Sequence, residues 1–198
     1  KAGLSLSEAF KMIDKVDSKI EVGLDYAFDN KYGYLTACPT NLGTGMRASS
    51  MLHLPALVLS DQINKVIQAV NKIGLAVRGL YGEGTEALGN LFQVSNQHTL
   101  GESEEEIIAR LEKVIKQIIE HEENAREKLY DENKTTLNDK IGRSYAILRY
   151  AHIISTKEAL ELLSMLRLGV DLGYFSDELR SLIDLLFMEI QPAHLQVY

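Results

Sequence analysis

From Ile107 to about Tyr130, apolar residues recur at 107, 108, 111, 114, 115, 118 and 119, and this pattern constrains the fold more than any other. The spacing is that of one long amphipathic helix with a single buried stripe. Ser103 and Glu106 precede it as a capping box, a reciprocal arrangement that satisfies amides at a helix start. Before this helix the chain alternates helical and extended patterns; after Asp131 it reads as helix only. The expected layout is therefore α+β, with a boundary near Asp131-Glu132-Asn133-Lys134 and domains over 1–135 and 136–198.

Upstream, Ser5 and Glu8 give another capping-box pattern, and Leu6, Ala9, Phe10, Ile13, Val16 and Ile20 predict a first helix. Asp25–Cys38 reads as a hairpin around Asp29, Asn30, Lys31 and Gly33, with a second strand over Tyr34–Cys38 that Pro39 ends. Residues 39–53 form a loop. A helix then opens at Pro55, with Leu57, Ile63, Val66, Ile67 and Val70 as its stripe, and Gly74 closes it. Leu75–Leu80 and Leu91–Ser95 read as strands around a glycine-containing loop, Tyr81–Asn90. Ser155 with Glu158 starts a helix ending near Gly169, and Ser176 starts another that runs to about Glu189.

Composition narrows the function classes. The 198 residues carry a formal charge of −7, which argues against nucleic acid as a direct partner. The single cysteine, Cys38, leaves no internal disulfide, and a reducing cytoplasm is the expected setting. No apolar run approaches the roughly 18 residues of a membrane span, so no membrane partner is expected. The five histidines show no ligand-like spacing with carboxylates, so no protein metal site is expected. The chain opens at Lys1 without a signal-peptide pattern and is expected to be part of a longer protein.

Two segments carry chemistry. Cys38-Pro39-Thr40-Asn41-Leu42-Gly43-Thr44-Gly45-Met46-Arg47 presents a thiol, hydroxyls, loop N–H groups and a guanidinium. Loop N–H groups can form an anion-binding concavity, and arginine matches phosphate oxygens with a planar fork. The same spacing equally serves a plain β-to-α turn. In Arg78-Gly79-Leu80-Tyr81-Gly82-Glu83-Gly84-Thr85-Glu86, an arginine at a strand end precedes a carboxylate on a glycine-rich loop. A carboxylate so placed could orient a cationic group, and a solvated hairpin loop with a surface ion pair is the alternative. Together the segments bring two arginines to one probable sheet edge, a local cationic pocket in an acidic protein. No Walker-type or protein-kinase signature is present.

Cys-Pro-Thr-Asn-Leu-Gly-Thr-Gly at 38–45 resembles the signature of the ATP:guanidino phosphotransferases, the creatine and arginine kinases. Further blocks follow in order: Arg78-Gly79, Gly82-Glu83 and Thr85-Glu86-Ala87, then Ser95-Asn96, Leu100-Gly101 and Ser103-Glu104. The likeness is greatest to the bacterial protein-arginine kinases. It implies an antiparallel sheet flanked by helices, followed by an all-helical C-terminal module. It also implies ATP and Mg²⁺, with phosphoryl transfer to arginine side chains of proteins.

By the same resemblance Arg47, Ala48, Ser49, Ser50 and Met51 lie at the nucleotide, and Arg78, Gly79, Leu80, Tyr81, Gly82 and Glu83 complete the phosphate site. Glu83 holds the acceptor guanidinium, and Cys38 sits beside it as a thiolate. The family's upstream arginines and second carboxylate have no match in residues 1–37, and the Arg-Asp phosphoarginine motif of the C-terminal module is not found, so this stretch alone is expected to be a poor enzyme. Implied partners are proteins with exposed arginine, a heat-shock transcriptional repressor among them, a Clp-type protease and a zinc-binding activator in stress response. The helical tail suits a protein substrate or a homodimer. A free-arginine kinase and a non-catalytic nucleotide- or phosphoarginine-binding scaffold remain the competing readings.

Overall fold

The computed structural model describes residues 1–79 and 87–195. Leu80, Tyr81, Gly82 and Glu83, all expected at the site, lie outside the described residues. The chain divides into two compact units, each built from separated segments: 1–52, 64–77 and 93–120, and 53–63, 78–92 and 121–198.

In the first unit, α1 (Leu6–Glu21) forms where the periodicity predicts it but buries no residue. Its capping box does not form: the Ser5 hydroxyl donates to the Ala2 and Gly3 carbonyls, and Glu8 pairs with Lys1. The hairpin is shorter than expected, with β1 (Phe28–Asp29) antiparallel to β2 (Gly33–Tyr34). Asp29 explains the turn, because its Oδ1 accepts the N–H groups of Lys31 and Tyr32 at 2.8 and 3.0 Å. The second strand ends at Tyr34, which exchanges backbone hydrogen bonds with Gly43 in an antiparallel bridge.

β3 (Ser49–His53), β4 (Leu75–Gly79) and β5 (Leu91–Asn96) form a sheet in the order β3-β5-β4. Asn96 N–H bonds to Ala48 O past one end of β3 and Leu54 N–H to Asn90 O past the other, so β3 and β5 run antiparallel. The single helix expected from Pro55 is two, α2 (Pro55–Leu59) and α3 (Ile63–Lys72). Asp61, with φ +57°, takes the chain out of helical geometry between them.

The long helix α4 starts at Glu104 with its capping box intact: Ser103 N–H reaches Glu106 Oε2 at 2.8 Å and Glu106 N–H reaches Ser103 Oγ at 3.2 Å. It runs to Tyr150, 20 residues past the expected end, with helical geometry broken once at Asn133 (φ −132°, ψ 27°). The continuation follows from Leu137, Ile141 and Ser144, a sparse stripe that is nonetheless buried. α5 (Thr156–Asp171) is capped by Ser155, whose Oγ accepts Glu158 N–H at 3.2 Å. α6 (Glu178–Glu189) takes Asp177 as its N-cap instead of starting at Ser176, and a short α7 (Pro192–Leu195) follows.

Leu91, Leu160, Leu163, Leu166, Val170, Ile183 and Phe187 form the main core of the second unit. Beside it, buried Glu122 accepts Ala56 and Leu57 N–H at 3.0 and 2.9 Å, satisfying the first turn of α2. Arg126 joins Glu122 (2.8 Å) to Asp171 (2.9 Å), and Arg180 reaches the other Asp171 oxygen at 2.6 Å. Burial pushes the Glu122 carboxyl up, against the pull of those amides and Arg126.

Candidate active site

The segment after β2 is held from three sides. Gly33 and Gly43 meet backbone to backbone: a Cβ on Gly33 would fall 2.6 Å from Gly43 O, and one on Gly43 would fall 2.5 Å from Thr99 O. Both have positive φ, so glycine is required for conformation and for space. The Thr99 hydroxyl donates to Leu42 O at 2.7 Å, with Thr40 O at 3.2 Å. Asn96 uses both ends of its amide: Oδ1 accepts Ala48 N–H at 2.9 Å, and Nδ2 donates to Met46 O (3.1 Å) and His98 O (3.2 Å). Asn96 and Thr99 are buried polar groups with their capacity filled, which makes the loop rigid.

This geometry corrects one expectation. The N–H groups of Asn41, Leu42, Gly43 and Thr44 bond to backbone carbonyls, Met46 N–H bonds to Thr44 Oγ1, and Ala48 N–H bonds to Asn96. The loop's amides are therefore largely spent on its own shape and do not form an anion-binding nest. What it presents outward is side-chain chemistry.

Cys38 is exposed at the start of a 3-10 turn, Pro39–Asn41. Its Sγ lies 3.0 Å from Thr40 Oγ1, and the Thr36 hydroxyl fixes Cys38 O at 2.7 Å. Hydrogen bonds from the Thr40 hydroxyl, then from its amide, hold the thiol below its ordinary pKa and favour the thiolate. Arg47 is exposed, anchored by one long bond from Nη2 to Ser95 Oγ at 3.4 Å. In β3, Ser49 Oγ accepts from Gln93 Nε2 at 3.0 Å, Ser50 is half-buried and Met51 is exposed. Arg78 is exposed on β4, one residue before Gly79 ends the strand. Among the described residues neither Arg47 nor Arg78 forms an ion pair, although other arginines do. Exposed guanidinium groups suit an incoming polyanion.

A cleft of about 420 Å³ opens beside the loop, lined by Tyr32, Tyr34, Gly43, Thr44, Thr99 and Glu104 among others. Neither Cys38 nor Arg47 lines it. Sequence reasoning missed the support from Asn96 and Thr99, although both fall within or beside the Ser95-Asn96 and Leu100-Gly101 blocks.

Residues 1–125 match the model of the ATP:guanido phosphotransferase C-terminal catalytic domain, and residues 134–198 match that of the protein-arginine kinase McsB C-terminal domain. The protein-arginine kinase of Caldanaerobacter subterraneus subsp. tengcongensis is 54% identical over 98% of this chain and 57% of its own length. That of Geobacillus sp. strain WCH70 is 54% identical over 99% of this chain and 54% of its own length. The chain thus spans about half the length of the curated relatives it matches. Among solved structures, the substrate-free duplicated taurocyamine kinase from Schistosoma mansoni aligns at TM-score 0.50 and 26% identity, over 69% of this chain and 20% of that one. With a catalytic-domain match over most of its length, the chain belongs to the ATP:guanidino phosphotransferase family.

Proposed function

We propose that this chain carries the nucleotide-phosphate and guanidinium-orienting part of an ATP-dependent protein-arginine kinase. The observation that carries the reading is one rigid loop presenting an exposed thiol of depressed pKa and an exposed arginine without a carboxylate partner among the described residues. Arg47 grips phosphate oxygens, with Ala48, Ser49, Ser50 and Met51 along the nucleotide. Arg78 and Gly79, with Leu80, Tyr81, Gly82 and Glu83, complete that site. Glu83 orients the acceptor guanidinium and the Cys38 thiolate lies beside it. Residues 1–135 supply the catalytic part, and residues 136–198 the helical domain.

Phosphoryl transfer depends on alignment and charge neutralisation more than on covalent help from the protein. A guanidinium nitrogen bonds to the γ-phosphorus as the bond to the bridging oxygen breaks and ADP leaves. The guanidinium proton passes to a carboxylate. Mg²⁺ bound to the nucleotide would offset its charge. Relatives bearing the name protein-arginine kinase, together with the helical domain, favour a protein acceptor over a metabolite. A cytoplasmic stress-response role, with a heat-shock repressor as substrate and with a Clp-type protease and a zinc-binding activator as partners, belongs to the same proposal.

The test is ATP-dependent phosphorylation of an arginine-rich protein by the full-length protein and by its Glu83→Gln and Arg47→Ala variants. Loss in both variants with the fold retained supports the reading. Unchanged activity overturns it, and phosphorylation of free arginine alone assigns the metabolite kinase.

A further inference from the structure

His53, the last residue of β3, ends the segment that begins at Arg47 and is half-buried. Its Nε2 lies 2.8 Å from Ser164 Oγ on α5, while Nδ1 is shut off from solvent without a partner. The Nε2–Oγ bond joins His53 to Ser164 in either ring tautomer. Ser164 Oγ also accepts from Asn90 Nδ2 at 2.7 Å. Asn90 closes the short turn Leu88–Asn90 through which the chain returns from residues 80–86 into β5, and its carbonyl accepts Leu54 N–H at 2.9 Å. Gly89 in that turn lies so close to α5 that a Cβ would sit 3.1 Å from Leu160 O.

One α5 hydroxyl therefore fixes two points: the end of β3 and the re-entry into β5. Hydroxyl, imidazole and amide form a set familiar from nucleophilic catalysis, but Ser164 is 0% exposed and no substrate can reach it. A buried polar cluster that joins three elements specifies their relative placement.

We propose that His53, Asn90 and Ser164 are positioning residues, through which α5 of the helical domain sets the register of the nucleotide-binding strand and of the chain re-entering β5. The inference rests on reading Arg47–Met51 as the nucleotide segment. It makes the helices after residue 150 a determinant of ATP affinity and not only an appended module.

The test is Mg·ADP binding and ATP KM in the full-length protein carrying Ser164→Ala, His53→Leu or His53→Gln. Leu163→Ala serves as control, because Leu163 neighbours Ser164 in the core and makes no bond to either loop. Losing this buried bond should weaken nucleotide binding about five- to tenfold in Ser164→Ala and His53→Leu. Glutamine places an amide nitrogen where Nε2 stands and should restore affinity to within about twofold. Leu163→Ala should lose stability while keeping affinity. Unchanged affinity in Ser164→Ala and His53→Leu, an equal loss in Leu163→Ala, or no rescue by glutamine overturns the proposal. If Ser164→Ala does not fold, the His53 pair decides alone. An Arg47→Ala variant separates the two readings: if it binds nucleotide normally, the site assignment itself has failed.

Discussion

The loop at 38–48 and the junction at 53–57 stand at opposite ends of one strand and are held in different ways. The loop is held by short-range means: two facing glycines, and Asn96 and Thr99 bonding back to residues 40–48. The junction is held by helices distant in sequence, with Glu122 on the α2 amides, Arg126 reaching His53 O at 3.4 Å, and Ser164 on the His53 ring. The first gives the loop that carries Cys38 and Arg47 a fixed shape. The second joins His53, Ala56 and Leu57 to helices of the second unit: loss of the Glu122 carboxylate should register chiefly as unfolding, and loss of the His53–Ser164 bond chiefly in nucleotide affinity.

The sharpest way to break this contrast is Glu122→Ala. It would leave two buried amides and Arg126 without their acceptor, and we expect about 3–5 kcal/mol lost in denaturant unfolding. Next is Asn96→Ala, expected to cost about 2–3 kcal/mol because Ala48 N–H and Met46 O lose their partner. Its nucleotide affinity should fall further than the stability change explains, whereas Glu122→Ala should show the reverse balance in protein that remains folded.

Acid provides a third comparison. Burial, reinforced by Arg126, Arg167 and Arg180, lowers the His53 pKa to about 3, so the ring is neutral in the folded protein. The unfolded chain binds that proton near pH 6.5, so stability falls as pH drops from 6.5 towards 3. The loss from this residue is about 2 kcal/mol by pH 5, and His53→Gln should abolish that part of the pH dependence. The smallest effect concerns the loop alone. Thr40→Val should raise the Cys38 pKa, read as slower iodoacetamide alkylation at pH 7, without measurable change in stability.

What was legible in the sequence follows the same division. The family signature at Cys38–Gly45 and the capping boxes at Ser103 and Ser155 could be read because each is complete within a few residues. Glu122, Arg126 and Ser164 could not, since their meaning depends on groups 45 to 111 residues away. The tail after Asp131 reads as helical, but its continuity with α4 was hidden because Leu137, Ile141 and Ser144 give too thin a stripe among charged residues. α1 shows the converse: periodicity specified the helix and its apolar face, yet Met12, Ile13, Val16 and Ile20 remain exposed. Amphipathic patterning specifies a face, not its partner.

The two facing glycines have an evolutionary consequence. At Gly33 and Gly43 any side chain would enter the opposite backbone or that of Thr99, so neither position can drift alone while the bridge from Tyr34 to Gly43 persists. A single mutation at either site meets a steric wall, and compensation would require the backbone itself to move. The loop should therefore be inherited as a block, with variation displaced to the exposed hairpin tip and to the helices beyond.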